Sequence, residues 1–244
     1  MVEMGKNNFM NKKTVLLLSV VGLSVIVAIM VFVQLYFSEA SRSRQVVRFI
    51  RNPESNQDKI LPALSRCGDA PFIMPTTGMI GFIWDDSFRP GHRHQGIDIF
   101  GGTGVGETPI YAAYDGYLTR QSDWKSSLII RIPSDPLNPE NQIWTYYTHM
   151  ADPSGVSLIS DAFPPGTTEK FVAAGTFLGT QGNYSGTPGN PTGVHLHFSI
   201  VKDNGGGQFL NELKIENTLD PSPYFRMALN ANSNDDGIPF CDQN

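Results

Sequence analysis

Positive charge is what most of this chain lacks. Residues 61 to 244 hold ten Lys and Arg against nineteen Asp and Glu, the first sixty hold eight against four, and the whole carries a formal net charge of −5. Recognition of nucleic-acid phosphates needs a basic face, so an acidic body excludes nucleic acid as a partner. Cysteine is nearly absent: Cys67 and Cys241 are the only two among 244 residues. A structural zinc site built from four cysteines is thereby excluded. What remains is one possible bridge tying the ends of the body together in an oxidising compartment, or two buried free thiols. No internal repeat is present, and the glycines of GGTGVGE (101–107) lack the spacing of a phosphate-cradling loop, so they read as a turn.

Charge of either sign is missing from residues 14 to 37, TVLLLSVVGLSVIVAIMVFVQLYF. As a helix these 24 residues measure ~36 Å at ~1.5 Å per residue, against a hydrocarbon core of ~30 Å. The run exceeds the ~7 to 15 apolar residues of a signal peptide, which is the alternative given the small residues of Ser38-Glu39-Ala40. A single membrane anchor is expected. Lysines precede the span and arginines follow it, so flanking charge does not orient it; the cysteine pair places the body outside the cytoplasm. Residues 1–13 form a short tail, and 38–60 a juxtamembrane linker whose amphipathic VVRFIR piece ends at Asn52-Pro53. Residues 61–244 form the body.

In that body, strand-like runs recur with turn signals between them: MIGFIW, GIDIF, PIYAAY, GYLTR, SLIIRI, IWTYYTHM, FLGTQG and VHLHFSIV. The spacing predicts a mainly β fold of antiparallel sheet without a long helix. Residues 133–142 and 152–170, rich in Pro, Gly, Asp and Ser, read as surface loops able to wall a cleft.

Histidine is also sparse, with five residues, and all five fall in three short stretches: His92 and His94 with Asp98, His149 in YYTHM, and His195 and His197 in VHLHFSI. On a strand, His195 and His197 share one face, ~6.6 Å apart, while Leu196, Phe198 and Ile200 face the core. One imidazole can then bind a metal while the other reaches a water or substrate atom beside it. A straight strand would hold His94 and Asp98 ~13 Å apart, so if both bind one ion the chain must bend, and Gly96 between them relieves the steric limit on such a turn. Two histidines and a carboxylate leave the fourth position of a zinc ion open, the pattern of a catalytic site.

HQGIDIF, PIYAAYDGYLTR, YYTHM and FVAAGTFLGTQGNYSGTPGNPTGVHLHFSIV, in this order, resemble the M23 family of zinc metallopeptidases, the lysostaphin and LytM type that cuts peptide bonds in peptidoglycan, over residues 70 to 223. The resemblance implies one zinc ion per chain on His94, Asp98 and His197, catalytic histidines at His149 and His195, and a groove in a mainly β fold with the zinc at its floor. His92 lies outside the pattern, as a rim residue. Phe88 stands near where some members carry an assisting tyrosine. The implied activity is a membrane-anchored zinc endopeptidase acting on peptidoglycan peptide, with the membrane held through residues 14–37 and any envelope or division-complex partner left open. Two alternatives remain: a non-catalytic module that binds the wall or activates an amidase, and a zinc peptidase acting on a glycine-rich envelope protein.

Overall fold

The computed structural model describes residues 11–87, 91–234 and 237–241. It falls into two compact units, Met1–Ser41 and Arg42–Asn244. Helix α1, Lys12–Arg51, begins in the first. There its described apolar side chains, Leu16 and those from Leu18 to Phe32, are exposed. Among the described residues, no helix is long and apolar enough to cross a membrane, so the span expected over 14–37 stays a reading of the sequence.

The second unit opens with the last turns of α1. The helix stops at Arg51 because Pro53 disfavours helical backbone at Asn52, and a 3-10 helix, Glu54–Lys59, follows. These turns are not a free linker. Arg42, Val46 and Phe49, spaced i, i+4, i+7, are all buried, which is the repeat of one helix face.

Next come β1 (Met79–Phe82), β2 (Ile97–Phe100), β3 (Pro109–Tyr111), β4 (Gly116–Thr119), β5 (Leu128–Ile132), β6 (Ile143–Thr148), β7 (Lys170–Val172), β8 (Phe177–Thr180), β9 (Leu196–Lys202), β10 (Thr218–Leu219) and the short helix α2 (Ser222–Phe225). The main sheet runs β1-β2-β9-β6-β5-β4-β7, with β10 also on β9, and β3 pairs β8 in a second sheet. Every named pair is antiparallel, as the alternating pattern predicts. All eight strand-like runs contain a strand. β7 and β10 went unread, being too short for a period to show.

Alternation along β9 sorts its side chains onto two faces. Leu196, Phe198 and Ile200 join Ile97, Ile99 and Tyr147 in the main core, under Phe72, Tyr224 and Phe225. The other face carries His197, Ser199 and Val201. Register aligns Asp98 of β2 and Thr148 of β6 with His197, and Tyr146 with Ser199. A polar row therefore crosses the three central strands, fixed by hydrogen-bonded pairing.

The loop 152–170 is tied down from within. Ile159 and Phe163 are buried in the main core, and Leu158 and Ser160 donate N–H to Met150 and Leu178 while Thr180 donates to Leu158. Near the other end of the chain, Cys67 and Cys241 are joined by a disulfide across 174 residues of sequence. Cross-linking so long a loop restricts the unfolded chain, so reduction or Cys241→Ser is expected to lower stability by about 2–5 kcal/mol. Denaturant melts with and without reductant measure this, and coincident curves would refute it.

Candidate active site

His94 reaches its place through backbone pairing: its N–H donates to the Asp86 carbonyl, and its own carbonyl accepts from Asp85. The bend comes at Gly96, though its need for glycine is not the left-handed backbone. A Cβ there would lie 2.1 Å from the Phe198 carbonyl oxygen and 2.9 Å from Ser199 Cβ. Glycine lets the chain pass against β9 before β2 begins.

That bend and the β2–β9 register bring three donor atoms together. His94 Nε2 lies 3.1 Å from Asp98 Oδ1 and 3.0 Å from His197 Nδ1, and His197 Nδ1 lies 2.9 Å from Asp98 Oδ1. A tetrahedral ion with ~2.0–2.1 Å bonds separates its ligand atoms by about 3.3 Å, so this triangle fits zinc. His94 Nδ1 donates to the Ile83 carbonyl at 3.0 Å, which directs the Nε2 lone pair into the triangle. Burial disfavours the charged form of His94, but the Asp98 carboxylate, the Ile83 carbonyl and Asp86 together outweigh it and raise the pKa. Burial pushes Asp98 up, yet His94, His195 and His197 together hold it well below the ordinary carboxylate value. The negative potential that keeps a proton there is the one a divalent cation would use. Among the described residues, these three are the one His/Cys/Asp/Glu group close enough to hold an ion.

His149 and His195 sit beside the triangle, their ring centroids 4.5 Å apart. His195 Nε2 is 3.6 Å from Asp98 Oδ1. Each ring donates its Nδ1–H to a backbone carbonyl at 2.7 Å, His149 to Tyr184 and His195 to Gly193. A carbonyl can only accept, so both Nε2 atoms carry free lone pairs. Burial and the neighbouring imidazoles push His149 down to about 3, and burial lowers His195 as well. Both rings are neutral acceptors at neutral pH, suited to taking a proton from water. Phe100 stacks on His195 at 5.0 Å.

These groups line a groove of about 800 Å³. His92 is also on its wall, its ring 6.3 Å from that of His94 and outside the triangle. Phe88 lies outside the described residues. Loops 133–142 and 152–170 do not line the groove, correcting the expectation from composition: the second turns Ile159 and Phe163 into the core, and the first borders a separate cavity with Asp203 and Tyr224. The walls come from elsewhere. Ser126, Ser127, Tyr146 and Thr148 supply hydroxyls, Tyr184 to Gly193 a rim, and residues 43–50 of α1 a further side. Tyr146 donates to Ser127, which shares a 2.7 Å hydrogen bond with Thr148. Glu212 was not legible in sequence. Its carboxylate lies on the groove wall 4.0 Å from His197 Nε2, and no motif marks it. The helical wall had a signal, the spacing of VVRFIR, but not a placement.

The sequence profile of peptidase family M23 matches residues 92–211. Among solved structures, the chain is similar to lysostaphin from Staphylococcus simulans (19% identity over 61% of this chain and 49% of that one, TM-score 0.39). It is likewise similar to a putative glycyl-glycine endopeptidase lytM from Ruminococcus gnavus (20% identity, 78% and 72%, TM-score 0.40), and to the catalytic domain of the prophage-encoded M23 protein EnpA from Enterococcus faecalis (22%, 62% and 96%, TM-score 0.36). The chain spans about half the length of the lysostaphin chain it matches. No curated protein matches it. The match to peptidase family M23 runs through residues 92–211, which contain Asp98 and all five histidines.

Proposed function

We propose that this protein is a membrane-anchored zinc endopeptidase that hydrolyses peptide bonds in peptidoglycan cross-links or cross-bridges. The observation that carries the reading is the triangle of His94 Nε2, Asp98 Oδ1 and His197 Nδ1 with two neutral imidazoles beside it on one groove. Zinc held by those three atoms would supply Lewis acidity and lower the pKa of water there to ~7. His149 and His195 accept a proton at Nε2 as water adds to the scissile carbonyl carbon, donate N–H to the developing oxyanion once protonated, and return the proton to the leaving amine as the C–N bond breaks. The match to peptidase family M23 supports the peptide bond as target, and the resemblance of the motifs to lysostaphin- and LytM-type peptidases supports peptidoglycan as its source.

Anchoring rests on the 24 uncharged residues 14–37, which lie within a 40-residue helix. Their described apolar side chains are exposed rather than packed on protein, as a lipid-facing helix requires. The disulfide supports an extracytoplasmic body. The test is digestion of purified sacculi by the full chain in detergent, reading released muropeptides by mass spectrometry. Release of peptides with new amino termini that a chelator stops and zinc restores is the expected result. Absence of any release by protein holding one zinc per chain would sink the reading and favour a wall-binding module.

A further inference from the structure

The last turns of α1 present two faces, one residue out of phase. Arg42, Val46 and Phe49 face the body, with Val46 also reaching the groove's edge, while Ser43, Val47 and Ile50 follow the same i, i+4, i+7 spacing and line the groove. The body is shaped to receive the first set. A Cβ on Gly81 would come within 2.6 Å of Val46 Cγ2, and one on Gly102 within 3.0 Å of Phe49 Cζ, so two glycines leave the space those side chains fill. Arg42 Nε pairs with Asp86 Oδ2 at 2.7 Å, and the Asp86 carbonyl is the acceptor that holds the His94 backbone. This wall is fixed to the segment that positions a donor of the triangle.

Beyond Ser43, the groove side of the wall is carbon. Val47 and Ile50 stay 45% and 46% exposed, Phe82 and Phe100 continue the surface, and Phe100 stacks on His195. Ile50 Cδ1 would stand 3.6 Å from a Cβ at Gly193, the residue whose carbonyl orients His195. The apolar wall therefore reaches the residue that acts on the scissile bond, whereas the hydroxyls of Ser126, Ser127, Tyr146 and Thr148 supply polar contacts to the same groove. A charged or amide side chain against the carbon wall would lose water without gaining a partner. Glycine would leave it uncovered. An aliphatic side chain covers it.

We propose that Val47 and Ile50 of α1 are specificity-determining residues that receive an aliphatic, alanine-sized or larger side chain of the substrate next to the scissile bond. The inference rests on the endopeptidase reading and narrows it: bonds flanked by alanine are preferred over an all-glycine bridge. Burying one methyl against the wall corresponds to about a fourfold preference.

The test uses full-length His149→Ala protein, so that binding is read without turnover, and fluorescein-labelled pentaglycine with its single L- and D-alanine variants. Anisotropy titrations are expected to show one alanine position favoured about fourfold or more. Adding Val47→Ser and Ile50→Ser should reduce that ratio towards one with pentaglycine affinity unchanged. Arg48→Ala, on the same helix but off the groove, should leave the ratio intact. No alanine preference, or one that survives the double serine variant, would overturn the proposal, as would an equal loss of affinity for every peptide. Because Val46 and Phe49 still anchor the helix, the variant retains its fold, checked by its melting temperature. Failure of the wild type to release muropeptides refutes the endopeptidase reading instead, and the two failures are read in separate experiments.

Discussion

His195→Ala and His149→Ala are each expected to lower hydrolysis about 10²–10⁴-fold, the range for a positioned general acid–base group, while the protein keeps its zinc. His94→Ala, Asp98→Ala and His197→Ala should lose zinc and hydrolysis together. The division follows from geometry. The three donor atoms of the triangle lie 2.9–3.1 Å from one another, so removing one takes away a third of the ligand set. His149 and His195 instead have their Nδ1 atoms fixed to the Tyr184 and Gly193 carbonyls. Metal content after dialysis, by mass spectrometry, together with kcat/KM on a released-peptide assay, separates the two classes. Full hydrolysis by His195→Ala would eliminate the assigned chemistry, and zinc loss equal to that of His94→Ala would make His195 a ligand.

The side chains that meet in the groove were legible because they carry rare chemistry. Five histidines in three stretches, two of them at strand spacing, are difficult to explain as scattered surface residues, and the alternation of VHLHFSI gave the strand and face of His197, while His195 lies in an isolated bridge to Gly182 just before β9 begins. Boundaries of the groove were not legible for a physical reason. A loop rich in Pro, Gly and Ser resembles a cleft wall in composition alone, but the destination of residues 152–170 is decided by Ile159 and Phe163, which are buried in the core. The amphipathic VVRFIR piece showed one apolar face in sequence, yet what it packs against depends on Gly81 and Gly102, far along the chain, leaving room. Glu212 falls in the same class, since its place beside His197 comes from a through-space approach and from no local pattern.

Gly182→Ala is expected to disable hydrolysis by about 10²-fold or more, as a displacement near 1 Å of catalytic groups does, although the residue touches no substrate. Its carbonyl accepts the His195 N–H at 3.1 Å. A Cβ on it would lie 2.4 Å from the His149 carbonyl oxygen and 2.2 Å from that of Ala151. Those neighbours are backbone, so the contact is relieved only by moving the segment that carries His149. That segment has little slack, because His149 itself sits at φ 69°, a left-handed conformation costing about 1–3 kcal/mol and held by its surroundings. One glycine thus seats both imidazoles from behind. The triangle is built separately, by β2 and β9 register and by Gly96, so the Gly182→Ala protein should bind zinc normally while losing about 1–3 kcal/mol of stability from overpacking. Gly237→Ala, whose Cβ would meet nothing closer than 3.9 Å, serves as the comparison and should leave hydrolysis unchanged. Undiminished kcat/KM in the Gly182→Ala protein would mean that the two histidines do not depend on this contact for their alignment.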